Sequence, residues 1–362
     1  MTYKTHINFT VLIFAGLGSA FTYMVALNTN IINMDKRFRG TIVGLLNAFF
    51  AGSPSVFVQI YLHVLTGEDK YANFLLLFAI LFAFVDILCM IFLRIYSDDT
   101  HDDTIDILPE QRHEPKTEMK RMSTNTDETS CCTSDTAESK ESIETMSLKQ
   151  ILLNFDFHLF SWTFVFAAAI GLVFLNNLTT ISQSVELSDR NSVLLIIIPV
   201  CNAITSLSLG FLSDVLKARV PRMILILLSC AFFTGSLALT MWKASIFAVL
   251  VISTVLCGIG TGMIWTLSPT IMSERFCLKN IGRNWGMAIL LAAAVGMGIQ
   301  EVFGHLYDVQ TSNANGATCL GLSCVRGGLA VGLGSGILAI VFCIVFITKT
   351  RIQRFLAQRN RT

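Results

Sequence analysis

The chain has 362 residues, 53% of them hydrophobic and 14% charged, with a net charge of +1. Soluble domains carry about 25% charged residues, so this composition excludes a water-soluble globular protein. The near-neutral total hides a split: residues 98–144 hold 14 of the 25 acids, and the basic excess elsewhere sits in short stretches between apolar runs, which excludes a nucleic-acid-binding face.

Nine apolar runs follow one another, at 8–32, 41–64, 72–95, 155–177, 191–213, 222–242, 245–269, 285–306 and 327–348. About 20 helical residues cross a bilayer. Each run satisfies its own backbone only as a helix in lipid. The reading is an all-α polytopic membrane protein of about nine transmembrane helices. The first run has a signal-like beginning, Lys4 then Gly18-Ser19-Ala20, but its apolar character continues to Ile32, too long for a typical signal core.

The organisation read from the rows is a three-helix bundle over 1–95, an acidic segment over 96–147, a six-helix bundle over 148–349 and a basic tail over 350–362. The acidic segment is rich in Ser, Thr, Asp and Glu and lacks apolar periodicity, so disorder is expected there. It serves either as a solvated tether or as a phosphorylation platform.

Basic residues set an orientation. One set of connections holds Lys36, Arg37, Arg39, Lys217, Arg219, Arg222, Arg275, Lys279 and Arg283, and the tail adds more; the alternate set is sparse. This predicts an amino terminus outside or in a lumen, with the carboxyl terminus and the 96–147 segment cytosolic. The membrane is either the plasma membrane or an internal one.

Ionisable groups within spans are candidates for function because lipid makes them expensive. Asp86 lies deep in the third run, as a proton or cation site or as a structural lock. Glu301 and His305 stand one helical turn apart in the eighth run, as a relay or as a water-exposed interfacial pair. Asn47, Gln59, Asn177, Gln183, Asn202 and Asn284 either meet a solute or bond a neighbouring helix. Trp265 either lines a cavity or faces lipid.

Two glycine runs, 258–262 and 332–336, mimic nucleotide fingerprints, but both lie inside spans and read as close helix packing. No cofactor is expected. No cysteine spacing suggests a metal site, and no nucleophile–His–acid set suggests an enzyme. Cys319 and Cys324 share one short loop on the non-cytosolic side, where a disulfide is chemically allowed.

The stretch Gly210 to Met223, GFLSDVLKARVPRM, is a charged hinge between the second and third of the last six runs. With Gly210, Asp214, Lys217, Arg219 and Arg222 it resembles the loop motif of the major facilitator superfamily. It reads either as a conformational latch or as a turn that obeys the charge bias. Further stretches resemble the nodulin-like branch, related to the monocarboxylate transporters: 39–46, 57–61, Asp156-Phe157, Leu175 to Leu178, Ile181 to Ser184, Ser273 to Phe276, Gly304 to Asp308, and Cys319-Leu320-Gly321 with Cys324. The family's Gly-Arg after the Asn of its eighth helix is absent here, where Ala203 follows Asn202.

That resemblance implies a major facilitator fold of which the first three helices lack a counterpart in this chain. It implies secondary active transport of a small solute by alternating access, with a monocarboxylate or another small organic anion as the solute and a proton or cation as the coupling ion. A metal ion or another metabolite is the alternative solute. The alternative from another class is a non-transporting partner or regulator of a longer transporter, with a second chain completing the helices.

Overall fold

A backbone cut off from water must bond to itself, and each long apolar run here folds as a helix. The structure, a computed structural model, describes residues 3–65, 70–95, 147–276, 278–313 and 319–359. Its helices are α1 (Tyr3–Asn33), α2 (Arg39–Gln59), α3 (Lys70–Phe92), α4 (Leu148–Leu153), α5 (Phe155–Ser184), α6 (Asn191–Leu216), α7 (Arg222–Lys243), α8 (Phe247–Arg275), α9 (Ile281–Asn313) and α10 (Ser323–Arg359). Among the described residues there is no strand. Eight of these helices, α2, α3 and α5 to α10, are long and apolar enough to cross a membrane.

The nine long helices coincide with the nine expected spans, but several run further. The segment expected as a free basic tail, 350–362, continues α10 as far as Arg359. No Gly or Pro interrupts it, and Arg, Gln, Leu and Ala are good helix formers. The acidic segment 96–147 lies outside the described residues except for Ser147, which opens α4 with a capping box to Gln150.

Helix α5 is the axis of the larger bundle. Phe157, Phe160, Phe164, Ile170 and Phe174 on it are buried. It packs mainly on α9 and α10, and more lightly on α8. Its start is fixed by Asn154, whose side chain accepts from the amides of Asp156 and Phe157. Its end is a Schellman turn: the amide of Leu187 bonds the carbonyl of Ser182 and that of Glu186 bonds Gln183. Glu186 stands there at φ 60°, where glycine is usual.

The loop before α10 docks on this end. Cys319 and Cys324 are joined by a disulfide. Between them Gly321, at φ +105°, donates its amide to the carbonyl of Ser184 at 2.6 Å.

Helices α2 and α6 meet backbone to backbone where Gly44 faces Ser206 and Gly210. A Cβ on Gly44 would lie 2.3 Å from the carbonyl oxygen of Ser206 and 2.8 Å from the Cα of Gly210. On the other flank of α6, a Cβ on Gly262 would lie 2.7 Å from the carbonyl oxygen of Asn202. Small residues let backbones approach in this way where lipid gives no hydrophobic drive.

The contact is one-ended. The buried residues of α2 are Arg39, Gly40, Val43, Gly44, Asn47 and Ala51, all before Pro54. Beyond Pro54 the helix relaxes into a π turn at Ile60–Val64, and Val56 and Val58 are exposed. Helix α3 has no buried residue; it meets α2 and the π turn through contacts such as Phe78 on Phe57, Phe74 on Tyr61 and the Lys70 ammonium over the Tyr61 ring.

Candidate functional site

The first turn of α2 lacks its own cap. Phe38 precedes it and offers no side-chain acceptor. The cap comes from another helix instead. Asp214, near the end of α6, accepts from the Gly40 amide at 3.1 Å, the Thr41 amide at 2.6 Å and the Thr41 hydroxyl at 2.8 Å. The positive end of a helix dipole favours a carboxylate there. Gly40 is needed for the approach, since a Cβ on it would lie 2.5 Å from Asp214 Oδ1.

The same carboxylate is neutralised from α7. Arg222 donates through Nη2 to Asp214 Oδ1 and through Nη1 to Glu274 of α8 at 3.0 Å. Lys217 reaches the same Glu274 oxygen at 2.6 Å. The side chains of Asp214 and Arg222 are only 6% and 4% exposed, so the pair is sealed from water, whereas Lys217 is 44% exposed. Of the expected hinge, Gly210, Asp214, Lys217 and Arg222 converge on one cluster that ties α2, α6, α7 and α8. Arg219 stands apart, exposed in the turn after α6.

Two turns further along the seam lies a neutral polar knot. Asn47 Nδ2 donates to Ser206 Oγ at 2.7 Å and to Asn202 Oδ1 at 3.3 Å. Ser206 donates to Asn202 Oδ1 at 3.0 Å. The structure thus brings Asn47 and Asn202 together from opposite sides of the α2–α6 seam.

Asn177 is joined elsewhere. It exchanges two hydrogen bonds with Gln300 of α9, at 2.8 and 3.1 Å. Asp86 accepts from Thr22 of α1 at 3.2 Å and is half-buried, on a helix with no fully buried residue. Gln59 and Gln183 are exposed near the far ends of α2 and α5. Glu301 and His305 lie exposed on one face of α9, and the ion pairs among the described residues do not include them. Asn284 is buried and donates to the Phe276 carbonyl at 2.7 Å. Trp265 packs edge-on to Phe164 and Trp285 in an aromatic cluster of α5, α8 and α9.

Four participants were not among the candidate site residues, Thr41, Ser206, Glu274 and Gln300, although Thr41 and Glu274 lie in stretches that carry the family resemblance. Glu274 carried a signal, as an acid closing an apolar helix opposite a basic hinge. The others are neutral polar residues among many, and only tertiary contact distinguishes them. A further ion pair, Lys349 to Asp156 at 2.6 Å, ties α10 to the start of α5. Among the described residues no His, Cys, Asp and Glu group could hold a metal ion.

A family model described as Major Facilitator Superfamily matches residues 9–301. The chain is similar to a protein of Yarrowia lipolytica described as "Probable transporter MCH1", with 26% identity over 226 residues, covering 58% of this chain and 46% of that protein. The chain therefore spans about half the length of the curated relative it matches.

Proposed function

We propose a function from one premise: the chain belongs to the major facilitator superfamily. It is an integral, multi-pass membrane protein. The reading is secondary active transport of a small solute by alternating access, with a small organic anion such as a monocarboxylate as the candidate solute and a proton or cation as the coupling ion. In such folds the site lies between the two helix bundles near the midplane.

The observation that supports this reading is the Asp214 cap on α2. It joins a helix of the first bundle to a helix of the second through charges, at one end only. Separating the bundles at that end would uncover the first amides of α2 and leave Asp214 with Arg222 alone. The cluster is therefore a latch for one state. With the basic end facing the cytosol, as the distribution of Lys and Arg implies, the latched state is closed to the cytosol. Asp86, Gln59, Asn177, Gln183, Glu301 and His305 remain candidates for solute or coupling-ion contacts.

The test is uptake of radiolabelled lactate into vesicles reconstituted with the full chain, with and without an imposed proton gradient. Flux above that of empty vesicles and abolished by collapsing the gradient supports the reading. A set of monocarboxylates and other metabolites that all fail to enter would sink it. A second reading, a partner or regulator of a longer transporter, draws on α3, whose described side chains are all left unburied. Co-purification with such a transporter and no independent flux would favour it.

A further inference from the structure

The knot at Asn47, Asn202 and Ser206 has a hydrogen-bond account that does not close on itself. Each amide has one oxygen acceptor and one two-proton donor. Asn47 Nδ2 uses both protons, one on Ser206 Oγ and one on Asn202 Oδ1. Asn202 Oδ1 uses both lone pairs, accepting from Asn47 and Ser206. The hydroxyl of Ser206 also approaches the Gly262 carbonyl, at 3.4 Å. Two groups are left over: the oxygen of Asn47 and the amide nitrogen of Asn202. Neither has a hydrogen-bond partner among the described residues, and neither is among the polar atoms sealed inside the protein.

Asn47 itself is only 3% exposed, and it lies roughly 12 Å along α2, within hydrocarbon depth if the helix starts at the membrane surface. Lipid offers nothing to an amide edge, so such a position is tolerated only beside protein, water or a ligand. The spare acceptor and spare donor belong to two side chains bonded to each other at 3.3 Å, close enough for a single small solute group to bridge them as one recognition edge. The charged groups of the seam, Arg39, Asp214, Lys217, Arg222 and Glu274, gather at its other end, where Asp214 and Glu274 take up Arg222 and Lys217 and Arg39 donates to the Met34 carbonyl. The edge is electrically neutral.

We propose that Asn47 and Asn202 form a solute subsite for an uncharged group carrying both a donor and an acceptor. A protonated carboxyl or a primary amide fits: its N–H or O–H donates to Asn47 Oδ1, and its carbonyl accepts from Asn202 Nδ2. An ionised carboxylate does not fit, because one of its oxygens would face the acceptor Asn47 Oδ1 with no proton between them and no cation within the knot to offset the charge. This inference rests on the transport reading and sharpens it. A carboxylic acid would enter this subsite with its own proton, so the coupling proton rides on the solute.

The test uses the purified full chain in nanodiscs, with the thermal unfolding midpoint as readout and butyramide, and butyric acid at about pH 5 and about pH 8, as probes. The amide should raise the midpoint at both pH values, and the acid only at the lower. Asn202→Asp keeps the oxygen that holds the knot but replaces the spare donor. It should weaken apparent affinity for the amide about tenfold or more, read as the ligand-induced shift from the variant's own unliganded midpoint. Butyrate binding as well at about pH 8 as at about pH 5 would overturn the proposal. So would unchanged binding by Asn202→Asp, or no shift with any probe. Failure of the transport reading looks different: probes bind as described, but no solute crosses the vesicle wall.

Discussion

Asp214 and Thr41, 173 positions apart in sequence, are bonded twice, through the backbone amide and through the hydroxyl of the threonine. The second helix of the chain thus takes its cap from the sixth.

Removing that cap should be costly. Asp214→Ala leaves Arg222 buried without its main counter-charge and the first amides of α2 without an acceptor. Breaking one side of a buried pair costs roughly 3–5 kcal/mol. Lys217→Ala removes a half-exposed partner of Glu274 and should cost less than about 1 kcal/mol. Chemical denaturation of the purified protein in detergent checks both, and equal losses would contradict this ranking.

The α2–α6 seam predicts a sharp contrast between glycines. Gly44→Ala puts a methyl group into the Ser206 carbonyl and the Gly210 backbone, neither of which is a flexible side chain. The helices must separate, at a cost of about 1–3 kcal/mol. Gly286→Ala on α9 meets nothing within 4 Å and should be neutral or slightly stabilising, since Ala is the better helix former. The unfolding midpoints of the two variants give the answer.

How much of this was readable beforehand depended on the physics behind each feature. The spans were legible because the bilayer imposes length and apolarity on every crossing helix. The hinge was legible in part: an acid among basic residues between two spans is unusual enough to notice. Its partners were not. The amides that Asp214 holds are backbone groups, and nothing in the letters Gly40 and Thr41 announces them. Asn47 and Asn202 could be named as polar groups in apolar runs, but not as a pair. Asn177 found Gln300, which looked no different from other polar residues in its span. Helix α3 was equally clear as a span, but its lack of buried contacts is a matter of neighbours, which periodicity does not report.

The Asn177–Gln300 exchange predicts coupling. Asn177→Leu or Gln300→Leu alone strands an amide between α5 and α9 and should cost about 1–3 kcal/mol. The double variant removes both and should cost clearly less than the sum. A double-mutant cycle by denaturation reads this directly, and strict additivity would argue against the pairing.

The far end of α5 offers substitutions of opposite sign. Glu186→Gly relieves a side chain held at positive φ and should stabilise by up to about 1 kcal/mol. Gly321→Ala introduces that same strain into the disulfide loop and should destabilise by about 1 kcal/mol or more. Thermal midpoints of the two variants should therefore move in opposite directions from the parent.

The one-ended contact of α2 has a mechanical meaning. A helix of 21 residues is about 30 Å long. It is gripped over its first part and released beyond Pro54. From Gly44 to Gln59 is about 22 Å, so a tilt of about 10° about the glycine contact would carry that tip sideways by about 4 Å. The glycine contact is then a fulcrum and α2 a lever arm. Motion too small to break a hydrogen bond at Asn47 would become a wide swing where the helix meets the opposite face of the membrane.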